Sequence, residues 1–236
     1  MKLASYNIRK AIGLDRRRDP VRVLEVINTI GADVIVLQEA DKRLGPRPTA
    51  LPRQLIADHT DYVPAPLATS PVSIGWHGNA VLVKKGIAIT ETRRIDLPGL
   101  EPRGAVSVVI EGRLRVVGVH LGLIRRNRHS QLRQIRTAIA HCRKPIAVLG
   151  DFNEWSPHAG LEEFHGAFEM HAPGKSFHAS RPMAALDRVG LGNGLMLKSG
   201  GVVETQLARI ASDHLPVWVD VELPVAAPAS AMRSAG

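Results

Sequence analysis

A single cysteine, Cys142, stands in a chain of 236 residues. An intrachain disulfide and a thiolate-only metal site are therefore excluded, and the expected location is a reducing one, the cytoplasm. Long apolar runs are missing as well. None approaches the ~20 residues of a membrane-spanning helix, and Met1-Lys2-Leu3-Ala4-Ser5-Tyr6-Asn7 offers no apolar signal core. Aromatic residues make up only 4% of the chain, so Trp76, Trp155 and Trp218 are read as core fillers rather than stacking platforms. No period of about 20 to 50 residues recurs, which excludes a solenoid. One absence is local: no acidic residue lies between Glu111 and Asp151, while nine arginines and lysines, from Arg113 to Lys144, fall in that stretch. Those nine account for the whole excess of 31 basic over 22 acidic residues. A local basic feature points to a polyanionic partner, or else to a solvated helix face.

What is present is a core. Hydrophobic residues make up 44% of the chain, enough for one domain, expected over 1–223. The Ala/Ser/Pro-rich stretch 224–236 has no core-forming pattern and is expected to be a disordered tail. Short runs rich in Val, Ile and Leu predict strands over 2–8, 34–37, 80–83, 105–110, 114–119, 146–149 and 215–221. Helical patterns fall at 20–30, where Pro20 follows Asp19, at 51–57 and at 127–142. Strands mixed with helices predict a layered α/β domain. In the last helix Leu132, Ile135, Ile139 and Cys142 recur at the spacing of a sheet-facing stripe.

Several of these strands stop at a polar or titratable residue: Asn7, Glu39 after Gln38, His120, and Asp151 with Asn153. Any one would pass as a turn former, but a rigid sheet also positions function at strand ends. The runs Ser5-Tyr6-Asn7-Ile8, Val36-Leu37-Gln38-Glu39, Val119-His120-Leu121, Gly150-Asp151-Phe152-Asn153, Leu186-Asp187-Arg188-Val189 and Ser212-Asp213-His214-Leu215 occur in that order. In this set the chain resembles the endonuclease/exonuclease/phosphatase superfamily, the DNase I-like proteins, over nearly its full length.

The resemblance implies a four-layer α/β sandwich, two mixed β-sheets packed face to face with helices outside. It also implies hydrolysis of a phosphate ester with a divalent metal, magnesium, with manganese as a substitute. Carried over by motif, Glu39 matches the main metal-ligating carboxylate, with Asn7 and Asp213 beside the metal. Asp151 and Asn153 match the pair that handles the attacking water and phosphate. His214 matches the catalytic imidazole, Asp187 its orienting carboxylate, and His120 the second histidine. Asn79, in Gly78-Asn79-Ala80-Val81, and Arg103 are further substrate-side positions, each equally readable as a turn or an ion pair. The chemistry is self-consistent. Magnesium wants oxygen ligands and keeps several waters, so one or two carboxylates suffice, and an Asp–His pair fixes an imidazole tautomer. Either Asp151 or His214 could take the proton from the attacking water.

The substrate is less defined. His120 stands where the abasic-site repair branch carries tyrosine, and Arg188 where that branch has an aromatic residue, which favours the deoxyribonuclease and sphingomyelinase side. The basic helix follows His120 closely, so Arg125 and Arg126, with Arg128, are expected to attract phosphate near the site. The leading expectation is a metal-dependent phosphodiesterase, a nuclease of low base specificity. The alternative is a phospholipid or small-metabolite phosphoesterase using the basic face at an anionic membrane. A non-catalytic nucleic-acid-binding homologue is third, since binding alone would not require every catalytic residue type.

Overall fold

The computed structural model describes residues 1–42, 46–157 and 159–224 of the chain. The tail expected beyond residue 223 thus lies, from 225 on, outside the described residues. Among those described, twelve strands form two six-stranded sheets. The first runs β11 (Met196–Val202), β12 (Val217–Glu222), β1 (Lys2–Asn7), β2 (Val34–Gln38), β4 (Ala80–Lys84), β3 (Tyr62–Pro64). The second runs β5 (Ile89–Leu97), β6 (Arg103–Ile110), β7 (Leu114–His120), β8 (Ile146–Asp151), β10 (Asp187–Gly192), β9 (Glu169–His171).

Side-chain alternation sets the layering. In β2, Val34 and Val36 face the opposite sheet while Ile35 and Leu37 face outward. Ala147 and Leu149 of β8 do the same against Ile146 and Val148. Both faces of these strands are buried, which is why their sequences read as continuous apolar runs. The inner faces meet in one core, with Leu3, Val36 and Val81 on one side and Val106, Val116 and Leu149 on the other. Gly118 lies in that contact: a Cβ there would stand 2.5 Å from Val36 Cγ1, so glycine permits the close approach.

Helices α1 (Pro20–Ile30), α2 (Arg53–His59) and α4 (Gln206–Ala211) accompany the outer core of the first sheet, and α3 (Arg125–Ile139) covers the second. Helix α1 begins as its sequence predicts, with the Asp19 side chain accepting from Arg22 N at 3.0 Å and Pro20 in the first turn. Leu132, Ile135 and Ile139 of α3 are buried in the outer core, whereas Cys142 is only partly buried. The architecture is the four-layer α/β sandwich that the motifs imply.

Every predicted strand and helix is present, with ends shifted by a few residues. The elements that pattern reading overlooked include β3, β5, β9 and β11, and these are the four sheet edges. An edge strand buries less, and Ile-Thr-Glu-Thr-Arg-Arg-Ile-Asp-Leu of β5 is largely exposed, so no apolar run marks it.

Two parallel pairs position the polar strand ends. Strands β1 and β2 pair in parallel in one sheet, and β7 and β8 do so in the other. Asn7 and Gln38 finish the first pair and His120 and Asp151 the second. All four ends come together across the sheet–sheet junction, where Asn7 Nδ2 donates to Asp151 Oδ2 at 3.1 Å.

Candidate active site

Asp151 is the hub. Its carboxylate is buried and receives Asn7 Nδ2 on Oδ2 and the backbone N–H of Asn153 on Oδ1 at 2.9 Å. His120 Nε2 lies 3.4 Å and His214 Nε2 3.7 Å from the same Oδ2. Strand register contributes directly, because His120, Asp151 and Asp187 are aligned partners across β7, β8 and β10. Gly150, at φ 153°, makes the bend before Asp151: a Cβ there would stand 1.9 Å from Val119 O.

His214 is clamped between acids. Its Nδ1 pairs with Asp187 Oδ2 at 2.8 Å. Burial alone would push the imidazole down, but the carboxylates of Asp187 and Asp151 more than offset it and raise its pKa to about 10. Burial drives Asp151 the other way from an ordinary carboxylate, up to about 6, with Asp187 adding to the rise and His214 opposing it. An imidazolium thus faces a carboxylate that titrates near neutrality. Asn153 Nδ2 ties the loop after β8 to Leu121 O at 2.9 Å.

Opposite this buried wall is an open, oxygen-rich one. Glu39, Asn7 and Asp213 line a cleft of about 300 Å³ together with Glu101, Arg103, Leu123 and the Asp151 cluster. Asn7 Oδ1 accepts from Arg9 N at 3.1 Å, and the Ser212 hydroxyl donates to Asn7 O at 2.6 Å, joining the segment before β12 to the end of β1. Cations of the chain itself sit on the acids: Lys10 Nζ on Glu39, and Arg9 Nε 3.4 Å from Asp213 Oδ2. Neither cation is evident from the motifs.

Among the described residues no group of three His, Cys, Asp or Glu is close enough to hold a metal unaided. The donor set nevertheless suits magnesium. Glu39, Asp213 and the Asn7 amide are hard oxygen donors, and the Lys10 ammonium on Glu39 is a stand-in positive charge. Magnesium takes its remaining ligands from water and substrate phosphate, so a closed protein cage is not needed.

Backbone strain concentrates here. Arg9, Lys10, Glu39, Arg47, His77 and Asn153 all have positive φ, between 46° and 58°. Each such residue costs about 1 to 3 kcal/mol and persists only where its surroundings over-determine it. A second lobe of about 190 Å³ adjoins the cleft through Glu39, Glu101, Arg103 and His120, and adds Lys42, Arg47 and His77. Arg47 Nη1 donates to His77 Nδ1 at 2.8 Å, and burial first, and then Arg47, lower the His77 pKa.

The other expected substrate-side residues are distributed differently. Arg103 lines the cleft, buried and paired with Glu101 at 2.7 Å. Asn79 is buried beneath it, its Nδ2 donating to Gly104 O at 2.8 Å between the two sheets, with Oδ1 lacking a hydrogen-bond partner. Arg125 and Arg126 are exposed at the start of α3, outside the cleft lining. Arg125 pairs with Glu154 at 3.0 Å. Arg128, expected to meet phosphate, is instead buried, bonding Glu154 and the carbonyls of Gly122 and Leu123. Burial raises the Glu154 pKa less than Arg125, the Ser156 N–H and Arg128 lower it, leaving it at about 2.

Part of the basic segment is engaged in this way. Arg133 pairs with Glu163, Arg115 with Glu91, and Arg136 donates to Glu163 O. The remote acids were invisible to a reading along the chain. Trp155 reverses its expectation too: it is 60% exposed on the loop after Asn153.

The two-sheet sandwich thus gathers acids, amides and imidazoles at one cleft. The chain belongs to the Endonuclease/Exonuclease/phosphatase family, whose profile matches residues 4–214. Among curated proteins, the uncharacterized protein YbhP of Escherichia coli is 28% identical, covering 94% of this chain and 96% of its own. Three solved structures share the fold. A mannosyl-6-phosphatase of Bacteroides thetaiotaomicron has TM-score 0.73 at 16% identity, covering 94% of this chain and all of its own (100%). The human Nocturnin catalytic domain with bound sulfate has TM-score 0.70 at 19% identity, covering 95% and 94%. TDP2 of D. rerio, complexed with a single-strand DNA product, has TM-score 0.72 at 14% identity, covering 94% and 98%. Family members are typically hydrolytic phosphoesterases that use divalent metal ions.

Proposed function

We propose that the chain is a metal-dependent hydrolase of a phosphate ester, in which the Asp151 carboxylate accepts the proton of the attacking water. The observation that carries this reading is the Asp151 hub, held by Asn7, Asn153 N–H, His120 and His214. A general base works best with a pKa near the working pH, and about 6 suits Asp151. His214, held toward its protonated form by Asp187 and Asp151, is less suited to that role. Its Nε2–H instead stabilises negative charge developing on phosphate oxygens, with His120 beside it. Asp187 fixes the orientation of His214 through its Nδ1 and favours its protonated form. Asn7, Glu39 and Asp213 would hold magnesium, or manganese in its place, which when bound supplies Lewis-acid charge at the phosphate. Arg103, which lines the cleft beside Glu101, would meet a nonbridging oxygen.

The substrate reading shifts from the sequence expectation of a nuclease. Four of the nine basic residues that favoured a long polyanion, Arg115, Arg125, Arg128 and Arg133, are engaged by Glu91, Glu154 and Glu163, and a 300 Å³ cleft suits a phosphate with its immediate ester groups. A nuclease retains support from Arg126, exposed in the first turn of α3. The test is parallel incubation with magnesium or manganese and bis(p-nitrophenyl) phosphate, p-nitrophenyl phosphate, plasmid DNA, RNA and phospholipid vesicles. Turnover of a phosphoester that vanishes in His214→Ala supports the reading. Equal rates in parent and variant, or no turnover of any substrate with either metal, would refute it.

A further inference from the structure

Ten large apolar side chains are exposed among the described residues, and five of them, Leu100, Leu123, Ile124, Trp155 and Met183, belong to four loops around the cleft. Contacts link these loops in series. Gln131 Nε2 donates to Pro98 O at 3.0 Å while its Oε1 accepts from Gly122 N at 2.8 Å, joining the loop of Leu100 to that of Leu123 and Ile124. Glu154, through Arg125 and Arg128, joins the latter to the loop of Trp155. The Trp155 ring stands edge-on to Phe177 at 5.8 Å, and Met183 N donates to Phe177 O at 2.7 Å. The cleft opens inside this series: Glu101 and Leu123 line it, and the Phe177 ring lies 5.0 Å from that of His214.

Glu154, the acid beside Trp155, is tied to Arg125 and Arg128, while other arginines near the tips are exposed. Exposed Arg126 follows Ile124 by two positions, and exposed Arg181 precedes Met183 in a stretch without acid between Glu169 and Asp187. Glu101, the acid beside Leu100, is tied to Arg103. Aliphatic tips have little to gain in a phosphate-lined nucleic-acid groove. Exposed Leu, Ile, Met and Trp with flanking arginines match the boundary between anionic headgroups and acyl chains.

We propose that this ring is a membrane-docking surface that seats the cleft on an anionic phospholipid bilayer. Given the hydrolase reading above, on which this last clause rests, the phosphoester it takes is a lipid headgroup.

The full chain is mixed with phosphatidylcholine vesicles containing phosphatidylglycerol, and with phosphatidylcholine alone. Cosedimentation is expected with the anionic vesicles, weakened by salt. Brominated acyl chains should quench tryptophan fluorescence in the parent and not in Trp155→Ala. Ile124→Asp and Leu100→Asp should each weaken binding by about tenfold or more, with turnover of soluble bis(p-nitrophenyl) phosphate unchanged. Misfolding cannot account for the first, because Ile124 occupies the N-cap of α3, where Asp is favoured. His214→Ala should bind as the parent does. Absence of cosedimentation overturns the proposal, and so does quenching of Trp155 by single-stranded DNA in place of vesicles. Vesicle binding with no phosphoester turned over sustains the docking surface and overturns only the hydrolase reading and its lipid substrate.

Discussion

The two walls of the cleft are built on opposite principles. On one, Asp151, Asp187 and His214 are almost wholly buried and in contact, so the protonation of Asp151 and His214 is set by burial and neighbouring charge. On the other, Asp213 and Glu39 are partly exposed and carry the chain's own Arg9 and Lys10 as counter-charges. A buried network is rigid and tuned, because low dielectric magnifies each interaction. An open ion pair is exchangeable, because solvent screens it. The buried wall therefore suits proton handling, and the open wall suits exchange of a cation.

Breaking the buried wall should have the largest effect. His214→Ala is expected to lower kcat by about 10³-fold or more, with the fold retained by circular dichroism. A small effect would mean the wall is structural. Next, Glu154→Gln leaves buried Arg128 without its counter-charge and should cost about 3 kcal/mol of unfolding free energy in urea titration. The pH dependence checks this. The folded-state pKa of Glu154 lies near 2, below its ordinary 4.5, so its contribution is complete above 4.5 and is lost as pH falls toward 2. That loss should be absent in the variant.

A third prediction separates the walls by titration. The Asp151 pKa is raised, so its base form disappears as pH falls, and kcat/KM should drop about tenfold per pH unit below about 6. A bound divalent ion moves that limb to lower pH, and Asp151→Asn removes it. A profile flat through pH 5 at limiting metal would exclude Asp151 as the base. The open wall should respond more gently: Lys10→Met removes the competitor on Glu39 and is expected to tighten manganese binding about fivefold by calorimetry. Weaker binding would show that Lys10 supports the metal rather than yielding to it. Smallest of all, Arg133→Ala loses an exposed, solvent-screened pair with Glu163 and should leave the urea midpoint nearly unmoved.

The interior strands were legible because both of their faces are buried, which leaves an unmistakable apolar run at Val34–Gln38 and Ile146–Asp151. The edges β5 and β11 were not, since exposed strands tolerate Arg, Lys and Gly. Within the cleft, motif order singled out Asn7, Glu39, Asp151 and His214, yet it offered nothing about Lys10, Arg9 or Glu154. Their importance comes from partners that are distant in sequence.

The amino-acid sequence by itself determined the layered α/β class, the family and the positions where strands end in polar residues, because periodicity and motif order are local properties of the chain. Tertiary structure alone decided which of those ends meet. Asn7 and Asp151, separated by 144 positions, share a hydrogen bond only because the two sheets stack. The same packing brings Glu154 and Glu163 onto a segment that has no acid of its own, and leaves Trp155 in solvent beside the cleft. Charge balance and exposure are set by neighbours in space, and those are fixed only when the layers pack.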